Sequence, residues 1–208
     1  MANSSLKSLR LVLWGMVAVF VLVLGVYALL QKQQGSGTSG TLPDLAGASV
    51  LGKGDYTLQT TDGQPFTQAT LTGKPSAIFF GYTHCPDVCP TTLGDIAGWE
   101  EQLGDEAKDL RFFFMTVDPE RDTADVLKDY VGFVPGVVGV TGSPEEVQKA
   151  TKAFRVYARK GAADGDAYTV DHSSAVMLFD KNGQYAGIIG YQEGDERALA
   201  ALRRLLAA

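Results

Sequence analysis

Sulfur and imidazole are scarce in this chain, with two cysteines and two histidines among 208 residues. A fold held together by disulfides is excluded, because Cys85 and Cys89 enclose so short a loop that bridging it removes little unfolded-chain entropy. Basic charge is also in deficit. Lys and Arg number 18 against 24 Asp and Glu, and the segment through Lys32 takes three of the cations and none of the acids, leaving 15 against 24 in the remainder. A surface of that sign lacks the cationic face that phosphates demand, which excludes nucleic-acid binding and favours cationic partners or metal ions. Internal repeats are absent. With 45% hydrophobic and 20% charged residues, the bulk of the chain has the composition of a folded globular domain.

Apolar length, by contrast, is concentrated in one block. Leu11 to Leu30 (LVLWGMVAVFVLVLGVYALL) runs without a charge, and ~20 apolar residues is what a helix needs to cross the hydrocarbon core. Lys7 and Arg10 precede the run while Lys32 alone closely follows, so the cation bias places the N-terminus in the cytoplasm. Two alternatives compete: a cleaved signal peptide, with Val26-Tyr27-Ala28 as a loose cleavage site, and a buried core helix. The run exceeds the ~7 to 15 apolar residues of a signal peptide, and it offers no polar face. The short stretch ahead of the anchor leaves no room for a mitochondrial presequence. A single-pass protein of a bacterial inner membrane is therefore expected, with its C-terminal domain in the periplasm. Gln31 to Ala48 is rich in Gln, Gly and Ser and reads as a flexible tether. The expected organisation is a cytoplasmic N-terminus over 1–10, a transmembrane anchor over 11–30, a linker over 31–49 and a folded domain over 50–208.

Within that domain, Tyr56–Thr60 and Phe66–Ala69 flank the turn dipeptide Asp62-Gly63 and predict an opening hairpin. Ser76–Phe80 is a short apolar run suited to a strand buried on both faces. Leu93, Ile96, Trp99 and Leu103 form one apolar stripe of a helix over Pro90–Leu103. A second buried strand is expected at Leu110–Val117, a helix from about Thr123 through Tyr130, and a strand at Val137–Val140. Ser143 caps the next helix, with Pro144 at its first position and Glu146 completing a capping box, and that helix continues to about Phe154. Ala175–Phe179, the Asn182-Gly183 turn, Tyr185–Ile189 and an amphipathic helix over Asp195–Leu206 close the chain. This order predicts an α/β sheet with parallel members and an antiparallel hairpin at its edge, as in a thioredoxin-like domain with an insertion.

His84, Cys85 and Cys89 share the motif Gly81-Tyr-Thr-His-Cys-Pro-Asp-Val-Cys-Pro90, between a buried strand and the helix it feeds. Cys89 is expected at the helix N-terminus with Pro90 at the first helical position, where free N–H groups and the helix dipole favour thiolate. The pair can close a disulfide when oxidised or converge on one ion when reduced. His172, in Asp171-His-Ser-Ser174, precedes the strand at Ala175, which in a thioredoxin-like sheet starts beside the first cysteine loop. It is the expected third ligand, and Asp171 either orients its ring or caps the loop. His84 should face away from Cys85 on extended backbone. Two thiolates and one imidazole suit Cu(I), whereas structural zinc asks for four ligands and would have to conscript His84.

These residues resemble the Sco/SenC copper proteins. T-x-C-P-D-x-C-P at Thr83–Pro90, V-D-P-E-R-D-T at Val117–Thr123 and D-H-S at Asp171–Ser173 carry the resemblance in that order, and it spans roughly residues 50 to 206. The resemblance implies a thioredoxin-like fold in which Cys85, Cys89 and His172 bind copper as Cu(I) or Cu(II). It also implies a role in assembling the dinuclear copper centre of cytochrome c oxidase subunit II, by delivering copper, by reducing that subunit's cysteines, or both. Another periplasmic copper chaperone or thiol reductase is the expected further partner. The leading expectation is a metallochaperone, with no enzymatic turnover required. The competing ones are a thiol-disulfide oxidoreductase with Cys85 and Cys89 as a redox-active pair and, last, a thiol peroxidase, which the negative charge of Asp87 disfavours. For Asp118 and its neighbours the expectation is no ligand role, only shaping of the loop beside the site.

Overall fold

The computed structural model describes Trp14, Phe20, Leu22, residues 50–161 and residues 168–208. The expected cytoplasmic N-terminus, the anchor over 11–30 and the linker over 31–49 thus lie outside the described residues, save for Trp14, Phe20 and Leu22, which are helical. Among the described residues no helix is long and apolar enough to cross a membrane.

The folded unit opens with a hairpin of β1 (Leu58–Thr60) and β2 (Pro65–Phe66), whose turn uses Gly63 at φ +77°. Then follow β3 (Ser76–Gly81), α1 (Val88–Leu103), β4 (Arg111–Thr116), α2 (Ala124–Val131), β5 (Val137–Thr141) and α3 (Pro144–Ala153). After β6 (Ala158–Lys160) and β7 (Val170–His172), the chain closes with β8 (Val176–Phe179), β9 (Tyr185–Ile189) and α4 (Asp195–Leu206). Seven strands form one sheet in the order β2-β1-β5-β4-β3-β8-β9, and β6 and β7 form a separate two-stranded ribbon. The central strands β3, β4 and β5 are parallel; β8 and β9 on one side, and β1 and β2 on the other, run antiparallel.

Alternation along the central strands divides the core into two layers. Ala77 and Phe79 of β3 join Phe112 and Phe114 of β4 on one face, under apolar residues of α1, α2 and α4. Ile78, Phe80, Phe113 and Met115 occupy the other face, with α3 and the opening hairpin. The predicted stripe Leu93, Ile96, Trp99 and Leu103 is buried in the first layer, and each such side chain contributes about 1.5 to 3 kcal/mol. Cys89 belongs to this layer. The chemistry is therefore seated at the C-terminal end of β3, where the apolar packing of one face ends.

Four local expectations are corrected. Helix α1 begins at Val88 with Asp87 as N-cap, so Cys89 lies in its first turn and Pro90 is its third residue. Proline is tolerated there because the first N–H groups of a helix have no intrahelical acceptor. The second arm of the opening hairpin stops at Phe66, since Thr67 and Thr70 cap a 3-10 turn over Gln68–Leu71. Ser143 does accept the Glu146 N–H at 3.2 Å, but the Glu146 carboxylate accepts the Thr57 N–H at 2.6 Å rather than closing the box, tying α3 to the entry of β1. Finally, His172 ends β7 of the ribbon instead of merely preceding β8.

Candidate metal centre

The loop between β3 and α1 brings Cys85 and Cys89 to the end of the sheet, and the ribbon brings His172 over them. One ligand atom from each of Cys85, Cys89 and His172 lies within 4.8 Å of the others, and among the described residues no other group of His, Cys, Asp or Glu converges this way. Both thiols are free. Cys89 Sγ stands 3.6 Å from His172 Nε2, and Cys85 Sγ accepts the Cys89 N–H at 3.4 Å.

The imidazole is held in one tautomer. Its Nδ1 lies 2.9 Å from the Ser173 carbonyl oxygen, which can only accept, so Nδ1 carries the proton and Nε2 presents its lone pair on the side of Cys89 Sγ. Burial pushes the His172 pKa down, which keeps the ring neutral and ready to ligate. Phe79 and Tyr82 pack edge-on against it, with ring centroids at 6.2 and 5.7 Å. Asp171 does not orient the ring. It faces outward and approaches Arg159 across the ribbon at 3.8 Å.

The expectation that the helix terminus favours thiolate at Cys89 is not met. Its side chain is fully buried, and that burial pushes the thiol well above its usual range. The N–H of the first helical turn is directed instead at Cys85, which is half-buried. His84 is exposed and outside the cluster, as its place beside Cys85 predicts. Its Nδ1 lies 3.0 Å from Thr83 Oγ1.

Sequence reasoning missed two supports. Gly81 leaves room for the buried sulfur, since a Cβ there would lie 2.8 Å from Cys89 Sγ. Asp122, fully buried, accepts the Thr83 N–H at 3.1 Å, the Thr83 hydroxyl at 2.6 Å and the Thr116 hydroxyl at 2.6 Å, which fixes the start of the cysteine loop. Burial pushes its carboxyl up, and these hydrogen bonds oppose that. The available signal was a second aspartate in the Val117–Thr123 motif, one short turn beyond a buried strand.

The SCO1/SenC family model matches residues 46–207. The mitochondrial protein SCO2 of Saccharomyces cerevisiae is 33% identical over 198 residues, covering 92% of this chain and 66% of the yeast protein. The chain thus spans a little under two thirds of that relative's length. The structure of Bradyrhizobium japonicum ScoI with copper bound is 38% identical at a TM-score of 0.69, covering 74% of this chain and 99% of that one. Yeast Sco1 with copper bound is 33% identical at a TM-score of 0.69, covering 76% and 89% respectively. The likeness identifies the α/β domain as thioredoxin-like, and the match over most of its length shows that this chain belongs to the SCO1/SenC family.

Proposed function

We propose that the domain over 50–208 is a copper metallochaperone serving the dinuclear copper centre of cytochrome c oxidase subunit II during oxidase assembly. Cys85 Sγ, Cys89 Sγ and His172 Nε2 hold one copper ion, Cu(I) or Cu(II), as cargo. The convergence of these three donor atoms within 4.8 Å carries the reading, because two sulfurs and one imidazole are a soft set matched to Cu(I) and one ligand short of structural zinc. An incomplete shell lets a partner's ligand enter before the carrier's own ligands leave. The half-buried Cys85 is the accessible member.

In this proposal residues 11–30 anchor the chain in a bacterial inner membrane, the tether over 31–49 gives reach, and the domain works in the periplasm. Another copper chaperone or a thiol reductase there loads copper or keeps the thiols reduced. Anaerobic Cu(I) titration of the reduced domain from Gln33 onward tests the copper reading, in wild type, His172→Ala and Cys85→Ser. One tight copper per chain, greatly weakened by either change, is expected.

A second reading is favoured by the unequal burial of the two free thiols. As an oxidoreductase, Cys85 thiolate attacks a partner disulfide and expels one partner thiolate, leaving a mixed disulfide. Cys89, once deprotonated, then attacks Cys85 Sγ, releasing the second partner thiolate and closing the Cys85–Cys89 disulfide, with two electrons passed to the partner. Copper binding indifferent to His172, with retained disulfide-reducing activity, would select this reading.

A further inference from the structure

The segment Val117–Thr123 supplies no ligand, yet it contacts both parts of the chain that do. It reverses in a turn in which the N–H groups of Arg121 and Asp122 meet the Asp118 carbonyl at 3.2 and 3.0 Å. Both of its aspartates are buried, Asp118 at 4% and Asp122 at 0% exposure. Asp122 reaches the cysteine loop through Thr83, as described above. Asp118 reaches the ribbon: its Oδ1 accepts the Tyr168 hydroxyl at 2.6 Å, and its Oδ2 accepts the Arg121 Nε–H at 2.5 Å. The Arg121 guanidinium lies 3.5 Å from the centre of the Tyr168 ring, closing the triad.

Tyr168 lies two residues ahead of β7, and the other strand, β6, is tied to the same turn directly. Lys160 of β6 pairs with Glu120 at 2.8 Å and places Nζ 3.8 Å from the Tyr168 ring centre. Thr116 links the two arms, since it donates to Asp122 Oδ2 and accepts the Asp118 N–H at 2.9 Å. These ties matter because, among the described residues, β6 and β7 pair only with each other. Among the described residues no ladder hydrogen bond joins His172 to the seven-stranded sheet whose β3 leads into the cysteine loop. Two carboxylates buried on one turn are costly to desolvate, and a stable fold alone would be served as well by apolar side chains there.

We propose that this turn sets the spacing between the thiol pair and the imidazole. Asp118 is a positioning residue for His172, acting through Tyr168 and Arg121; Asp122 is a positioning residue for the cysteine loop, acting through Thr83. The inference rests on the copper reading and gives the V-D-P-E-R-D-T motif its role.

The test is a double-mutant cycle in Cu(I) affinity. Tyr168→Phe keeps the ring and removes only the hydroxyl. It should weaken copper about tenfold, as loss of a ligand's outer support commonly does. In a His172→Ala background the same change should cost less than about twofold. Asp122→Asn should weaken copper in both wild-type and His172→Ala backgrounds but lose its effect with Cys85→Ser. The thiolate-to-Cu(II) charge-transfer bands should shift in Tyr168→Phe, which a change in stability alone would not produce. Equal losses from Tyr168→Phe with and without His172, or an affinity and spectrum like wild type, would overturn the proposal, whether or not Asp122→Asn folds. Failure of the wild type to bind copper, or binding indifferent to His172, would instead overturn the copper reading itself.

Discussion

A methyl group added at position 81 measures how tightly the end of β3 holds the buried sulfur. Gly81 is not among the glycines with positive φ, so alanine meets no backbone penalty and the cost is steric. Its Cβ would lie 2.8 Å from Cys89 Sγ and 2.8 and 2.9 Å from two carbons of the Phe114 ring, against about 3.5 to 4.0 Å for an unstrained contact. Phe114 has nowhere to go. It is fully buried, edge-on to Phe79 at 5.7 Å and against Tyr130 at 5.6 Å. Overpacking of this kind costs about 1 to 3 kcal/mol. With ~2 to 4 °C lost per kcal/mol for a domain of this size, Gly81→Ala should lower the Tm of the reduced, copper-free domain by roughly 2 to 12 °C.

The softer response is displacement of Sγ, and Sγ is a proposed ligand, so the Cu(I) affinity should fall with it by about tenfold. Thermal unfolding followed by circular dichroism, paired with a Cu(I) competition titration, reads both effects. In a Cys89→Ala background the stability cost should shrink to the part owed to Phe114. If Gly81→Ala leaves both Tm and copper affinity at the wild-type values, the account of a sulfur wedged between β3 and Phe114 is wrong.

Three further outcomes follow from the protonation and the hydrogen bonds of the site. Because burial pushes the Cys89 thiol up, copper must expel that proton, and the apparent Cu(I) affinity should rise at least about tenfold per pH unit across the neutral range; a flat profile would refute this. The same raised pKa stabilises the copper-free fold fully below the ordinary thiol pKa, with that stability lost as pH rises above it, and Cys89→Ser should remove this alkaline loss. Asp171→Asn should change copper affinity by less than about twofold, since Ser173 O holds His172 Nδ1 and Asp171 faces Arg159; a tenfold loss would show that Asp171 tunes the ring after all.

The core of the sheet was legible because its signals are local. Phe79, Phe112 and Phe114 sit in apolar runs too short for helices, and Leu93, Ile96, Trp99 and Leu103 repeat at helical spacing, so burial pattern and sequence pattern coincide. The ribbon was not legible. Ala158–Lys160 is wholly exposed and carries no alternation, and the ribbon is pinned from outside at both strands, by Lys160 of β6 to Glu120 and by Tyr168, two residues ahead of β7, to Asp118. The converging trio Cys85, Cys89 and His172 could be picked out because cysteine and histidine are rare here. Asp122 could not, because nothing in the sequence states that an acid after β4 meets Thr83, 39 residues away. The thiolate expectation failed for a related reason: helix position is visible in the sequence, but the burial that overrides it depends on the opposing layer of Phe114 and Tyr82.

The three donors differ in how far each can yield, and that difference constrains how the site works. Cys89 is walled in by Gly81 and Phe114, with its sulfur set against His172 Nε2. With Nε2 unprotonated the Cys89 thiol can donate along that line, so an ion held as proposed would take the place of a hydrogen bond. Cys85 stands on the loop, half-buried, with its sulfur accepting the Cys89 N–H. In the proposed copper site an incoming ligand would therefore displace Cys85 while Cys89 and His172 still held the ion, and an incoming disulfide would likewise meet Cys85 first. The same asymmetry serves transfer of copper and transfer of electrons. What separates the two is His172: thiol exchange runs between sulfurs alone, whereas this imidazole is kept neutral, fixed in tautomer and set 3.6 Å from Cys89 Sγ through Nε2, which is the arrangement a metal ligand requires.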